Sequence, residues 1–258
     1  MEEFLYPSKI ELTYGAGPNE AVLTAEPFFH GYGTTVGNAL RRVLLSSLSG
    51  AAITAVKIKG AQHEFATVPH VKEDVLEIIL NLKMVRLKSF AEGPVKVSLH
   101  VKGEKVVTAG DITPNSDIEV MSTKAVIATL TDKSAELEME FTVEKGRGYV
   151  PTEERGKGKM ELGTIAVDAL FSPVVAVGFR VEDVRVGEIT NYDRLIMTIE
   201  TDGTITPKEA AEESGRVLIN HFNLFTALPA IAGEVPAAAA ESAEEKPKKA
   251  RKKKTEDA

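Results

Sequence analysis

The 258-residue chain contains no cysteine. Disulfides, thiolate metal sites and cysteine nucleophiles are therefore excluded, and a reducing compartment is compatible. It also lacks any apolar run near the roughly 20 residues that a membrane-spanning helix needs, and Met1-Glu-Glu-Phe has neither the basic nor the apolar segment of a secretion signal. The expectation is a cytoplasmic protein with no membrane contact. A basic surplus is missing too: the net charge is −7, which argues against a broad basic nucleic-acid groove.

Catalytic patterns are equally scarce. The histidines at 30, 63, 70, 100 and 221 form no metal-ligand spacing, so no metal site is expected. Ser46, Ser47 and Ser49 sit at a helix end and not in a nucleophile elbow. Gly31-x-Gly33-x-x-x-Gly37 resembles a phosphate-cradling loop only superficially. Its spacing is not that of a dinucleotide fold, and no Gly-Lys-Ser/Thr follows. A stand-alone phosphate- or nucleotide-binding protein is thus the alternative, and glycines that admit a closely packed helix are the simpler reading. No cofactor is expected.

What is present is a helix with too many demands on it. After the glycines, Leu40, Val43, Leu44 and Ser47 follow one helical face, Val36 and Leu48 widen it, and Arg41 and Arg42 lie adjacent within it. Adjacent residues point about 100° apart, so the two arginines can serve different neighbours. They fit either a solvated flank or a guanidinium contact to a partner. The spacing predicts this helix over Thr35 to Ser49, with Gly50 as a left-handed cap.

Further along, Ala21–Ala25 and Ile53–Lys59 read as strands. Val71–Leu87 reads as a helix with Val75, Leu76, Ile79, Leu82 and Val85 or Arg86 at helical intervals, and Glu73 and Asp74 in its first turn. Val95 to Val143 alternates like a β-rich segment, and Glu144 to Gly163 reads as an irregular loop. Ala176–Val186 and Tyr192–Thr201 predict two more strands. Thr206-Pro-Lys-Glu209 is a capping box with proline at the first helical position. The helix it opens carries Ala210, Val217, Leu218, His221, Phe222 and Phe225 on a second broad stripe. Two wide stripes predict helix packing between molecules. From Gly233 onward Ala, Glu, Lys and Pro dominate, which predicts a disordered tail. Lys246–Lys254 holds seven Lys or Arg in nine residues, fit for solubility or for weak nucleic-acid contact through Lys248, Lys249, Arg251, Lys252 and Lys253.

These blocks occur in a specific order. Gly31-Tyr-Gly-Thr-Thr-Val-Gly-Asn-Ala-Leu-Arg-Arg-Val-Leu-Leu-Ser-Ser47 precedes His63-Glu-Phe65, Val71–Lys83, Ala109-Gly-Asp-Ile112, Gly146-Arg-Gly-Tyr-Val-Pro151, Phe171-Ser-Pro-Val174, Val181–Val186 and Thr201-Asp-Gly-Thr-Ile205. The series, from about residue 4 to 228, resembles the bacterial-type DNA-directed RNA polymerase alpha subunit family. The Gly146–Pro151 block sets it apart from the archaeal and eukaryotic paralogues.

The resemblance implies an α+β fold of two interleaved domains: a dimerisation domain from 1–50 and 175–232, and an inserted, mainly β, subunit-binding domain from 51–174, followed by the tail at 233–258. It implies a homodimeric, non-catalytic platform on which the beta and beta-prime subunits assemble, with omega and sigma in the full enzyme and DNA engaged through the complex on the nucleoid. Beta contacts fall on Asn38, Arg41, Arg42 and Glu73, and beta-prime contacts on Glu182, Arg185 and Asp193. Dimer contacts fall on Val36, Leu40, Val43, Leu44, Val217, Phe222 and Phe225. Family members usually continue into a small helical DNA-reading domain; the Ala/Glu/Lys tail stands in its place, so assembly without that module is expected.

Overall fold

Two-residue alternation makes the first strands, which pair as an antiparallel ribbon. β1 (Lys9–Tyr14) sets Ile10, Leu12 and Tyr14 opposite Ala25, Leu23 and Ala21 of β2 (Glu20–Phe28). The computed structural model describes residues 5–155 and 161–226. α1 (Tyr32–Ser46) leads into β3 (Ser49–Ile58), and α2 (Val75–Lys83) into β4 (Leu87–Ser89), β5 (Val95–Lys102) and β6 (Lys105–Thr108). There follow β7 (Ile118–Val120), β8 (Val126–Leu130), β9 (Glu136–Arg147), β10 (Tyr149–Val150), β11 (Thr164–Ala166) and β12 (Ala169–Leu170). The long hairpin β13 (Val174–Val186) and β14 (Ile189–Thr201) precedes α3 (Pro207–Thr226).

Strands from opposite ends of the sequence share one sheet, in the order β1-β2-β14-β13. Leu195, Met197 and Ile199 of β14 lie beside Ala25, Leu23 and Ala21 of β2, making one apolar face. Leu44 and Leu48 pack there with Val174, Val177, Met197, Ile199 and Ala210. Everything between α1 and β13 is therefore an insertion, which builds its own sheet in the order β5-β9-β3-β4-β7, with β11 also paired to β3. This is the expected α+β class with an inserted β portion.

The central strand β9 shows why the inserted sheet has two characters. Leu137, Met139, Phe141 and Val143 face inward and are buried, whereas Glu136, Glu138 and Glu140 face out. The outward acids meet flanking bases: Lys59 to Glu138 at 2.7 Å, Lys96 to Glu140 at 2.9 Å, and Lys102 to Glu136 at 3.0 Å. α2 covers the inner face with Val75, Ile78, Ile79 and Leu82.

Several expectations need correction. α1 starts at Tyr32 and ends at Ser46, where the Ser47 N–H bonds to the Val43 carbonyl. Gly50 is therefore not its cap but a residue of β3, paired with Gly146 of β9. A Cβ on Gly50 would lie 2.0 Å from the Phe171 carbonyl oxygen, and one on Gly146 would lie 2.6 Å from the Phe171 ring. The glycine pair makes room for the chain returning toward β13. α2 begins at Val75, later than expected; Asp74 is its cap, accepting from the Glu77 N–H at 2.7 Å. Of the residues at helical intervals, Val75, Ile79 and Leu82 are buried and Leu76 is 41% exposed. The segment 144–163 is only partly irregular, since β9 runs on to Arg147 and β10 pairs with β12.

The capping box behaves as its residues dictate. Thr206 N–H donates to Glu209 Oε2 at 3.0 Å, and Glu209 N–H to Thr206 Oγ1 at 3.2 Å. The chain divides into two units, residues 1–220 and 221–258. In the second, His221–Thr226 completes α3 and is exposed. Among the described residues, no helix is long and apolar enough to cross a membrane.

Candidate functional site

The glycine run is explained residue by residue. Gly31 takes φ 82°, a left-handed turn that favours glycine, and starts α1 without a side-chain cap of its own. The missing acceptor comes from the far end of the sequence: Asp193 on β14 accepts the Gly33 N–H at 3.0 Å. A carboxylate at a helix N-terminus is favoured by the helix dipole. A Cβ at Gly33 would come within 2.8 Å of the Asp193 Cβ, and one at Gly37 within 2.7 Å of the Phe179 ring. Asp193 is 4% exposed. It holds α1 in place and has no surface for a beta-prime contact, which corrects that assignment. The same carboxylate occupies the position a phosphate would take, so nothing here supports the nucleotide-binding alternative.

With its glycine side pinned, α1 can present only its opposite flank. Asn38, Arg41, Arg42 and Leu45 lie at i, i+3, i+4 and i+7, and all four are exposed. The Asn38 side chain donates to the Thr34 carbonyl at 3.1 Å. Among the described residues neither arginine is in an ion pair, although Lys59, Lys83, Lys96, Lys102 and Lys105 all are. Leu45 was not singled out by the sequence; its place one turn beyond Arg41 was the available signal.

Glu73 is engaged internally. Its carboxylate accepts the Thr129 N–H at 2.6 Å and the Thr129 hydroxyl at 2.9 Å, tying the approach to α2 onto β8. Its carboxylate is thus already engaged within the chain, and the residue remains partly exposed. The outward flank of α2 carries instead Leu76 and Leu80, with Met84 just past the helix end, at four-residue intervals and 41%, 54% and 65% exposed. This apolar row was missed because a 3.6-residue period does not by itself distinguish the two sides of a helix that is apolar on both.

On the β13–β14 hairpin, Glu182 accepts from Arg180 Nε at 2.9 Å and Arg185 Nε donates to the Gly187 carbonyl at 2.8 Å, both at the surface. Of the expected dimer residues, Leu44 is 1% exposed and spent in the chain's own core, a correction. Val36 and Leu40 are half-buried against the sheet, and Val43 and Val217 are also half-buried. Phe222 and Phe225 are 59% and 69% exposed. Lys248, Lys249, Arg251, Lys252 and Lys253, like the whole expected tail, lie outside the described residues.

The electrostatics are structural in character. Asp168 is held at about 2 by the Thr152 N–H and then by Lys83, whose Nζ is 2.9 Å away. Glu136 is also held at about 2, first by its hydrogen bond with His100 and then by Lys102. A cleft of about 580 Å³ on the outer sheet face is lined by Lys57, Lys59, His100, Glu138 and Glu140. Its lysines are paired with glutamates, at 3.7 Å for Lys57 and Glu161. Among the described residues, no group of three or more His, Asp or Glu is placed to hold a metal.

Two comparisons bear on this arrangement. Residues 56–172 match the family model described as the RNA polymerase Rpb3/RpoA insert domain, which covers most of the inserted sheet. The DNA-directed RNA polymerase subunit alpha of Alkaliphilus oremlandii (strain OhILAs) is 48% identical over 218 residues, spanning 84% of this chain and 67% of that protein. At that identity, over more than four-fifths of its length, the chain belongs to the family of DNA-directed RNA polymerase alpha subunits.

Proposed function

We propose that the chain is a non-catalytic, homodimeric platform on which the large subunits of a cytoplasmic, nucleoid-associated RNA polymerase assemble. The observation that carries this reading is the α1 flank. Two exposed arginines, in no ion pair among the described residues, stand beside an exposed leucine on a helix that cannot rotate, because Gly33 and Gly37 lock its other side. A guanidinium offers a planar fork for carboxylates or carbonyls of a partner. The beta subunit is assigned to Asn38, Arg41, Arg42 and Leu45, extended by the α2 row. Beta-prime is assigned to the exposed Glu182 and Arg185 on the hairpin.

Residues 1–50 and 175–232 form the dimerising part in this reading, and 51–174 the inserted subunit-binding part. A second copy covers Phe222, Phe225 and the half-buried Val36, Leu40, Val43 and Val217. Co-expression with the two large subunits tests the central claim. Arg42→Ala is expected to weaken beta recruitment about thirtyfold, the scale of a truncated interface anchor, while leaving the circular dichroism spectrum unchanged. Equal recruitment by wild type and Arg42→Ala would remove the arginine from the interface.

A further inference from the structure

Four methionines fall within the described residues, and they divide sharply. Met139 and Met197 are 1% and 0% exposed, whereas Met84 and Met121 are 65% and 40% exposed. Met1 and Met160 lie outside the described residues. Because the chain has no cysteine, thioethers are the only sulfur it offers an oxidant. Met84 stands out by position as well. It follows Leu80 by four residues and Leu76 by eight, and its N–H bonds to the Asn81 and Leu82 carbonyls, so it continues the outward row of α2. Val75, Ile78, Ile79 and Leu82 anchor the opposite side in the core, and the helix cannot turn the row inward.

We propose that Met84 is a reversible oxidation site that controls docking of the beta subunit on the Leu76–Leu80–Met84 row. The proposal rests on the reading above that this flank of α2 faces that subunit. The oxidant is hydrogen peroxide. A sulfur lone pair attacks one peroxide oxygen; the S–O bond forms as the O–O bond breaks, and the departing hydroxide takes the remaining proton and leaves as water. Sulfur gives up two electrons and the peroxide accepts them. The product is a polar sulfoxide at the end of an apolar row, and covering it with an apolar surface would strip water from its oxygen without supplying a donor. Once docked, the row is covered, so the free subunit is the form that reacts. A dithiol reductant reverses the step: it gives up two electrons and two protons and becomes a disulfide, the sulfoxide oxygen leaves as water, and the thioether and with it the docking row are restored.

The test treats the full-length chain with hydrogen peroxide, maps sulfoxides by mass spectrometry, and measures capture of the separately expressed beta subunit. Met84 and Met121 are expected to oxidise before Met139 and Met197, and capture to fall about tenfold. A Met84→Leu chain, still carrying Met1, Met121 and Met160, is expected to keep its capture after the same treatment. Undiminished capture by oxidised wild type, or equal loss by Met84→Leu, would overturn the proposal. Untreated Leu80→Asp, with an unchanged circular dichroism spectrum, separates the two readings. If it captures normally, the docking row itself is wrong; if it loses capture while peroxide does nothing, only the oxidation step is wrong.

Discussion

In the inserted sheet, 28 buried apolar residues from Ile53 to Val167 join in one cluster. In the sheet made from the two ends of the sequence, the buried clusters hold seven and three such residues, and Val36, Leu40 and Phe179 are only partly covered. Meanwhile Ile10, Tyr14 and Ile219 are half or more exposed. The inserted part encloses a large core of its own, though Phe65, Leu80, Met84 and Phe90 stand outside it, and the end-built part divides its smaller core into separate clusters. A large exposed apolar surface marks an interaction site. The contrast teaches that one continuous chain divides its core unevenly: the inserted sheet closes around a large core of its own, and the end-built sheet holds small clusters with several apolar residues only partly covered.

The sharpest way to break this contrast is to remove Phe141, 1% exposed at the centre of β9. Phe141→Ala is expected to cost about 3–5 kcal/mol in chemical denaturation, the transfer and cavity cost of a large core side chain. A loss under about 1 kcal/mol would mean the inserted core is loosely packed. Next is the acid response. The folded values of Asp168 and Glu136 are depressed to about 2, so their stabilisation is complete above the ordinary carboxylate range and is lost as pH falls toward 2. Stability from these groups is expected to be flat from pH 7 to 5 and to fall between about pH 4 and 2. Asp168→Asn is expected to cost on the order of 1 kcal/mol at pH 7 and to flatten part of that fall in acid titrations followed by circular dichroism. The smallest effect on unfolding is expected at Phe222, 59% exposed. Phe222→Ser should change the unfolding free energy of the separated chain by less than about 0.5 kcal/mol yet weaken self-association in sedimentation. A variant that unfolds easily but associates normally would reverse the contrast.

What the sequence disclosed follows from the range of the forces involved. The α3 start was legible because Thr206, Pro207 and Glu209 satisfy their helix end within four residues. The inward and outward faces of β14 were legible from strict alternation of Leu195, Met197 and Ile199 with Ile196, Thr198 and Glu200. The functions of Gly50, Glu73 and Asp193 were not. Gly50 answers to Phe171, Glu73 to Thr129 and Asp193 to Gly33, partners 56 to 160 positions away for the two carboxylates, and no local pattern records them. The α1 arginines were legible as an oddity, and their lack of an ion pair among the described residues emerges only with the fold. The Leu76 row escaped because α2 is apolar on both sides, and only the packed sheet decides which side is covered.

The pairing of β2 with β14 also has a consequence in time. Glu20–Phe28 leaves the ribosome early, but its hydrogen-bonding partner Ile189–Thr201 does not exist until more than 150 further residues have been made. At ordinary rates of synthesis that interval is on the order of ten to thirty seconds. Late in that interval, once β9 and β11 have been made, the inserted sheet can close, while β2 and the apolar side of α1 still have no finished sheet to lie on. The nascent chain thus passes through a stage in which its middle is folded and its beginning still waits for its end.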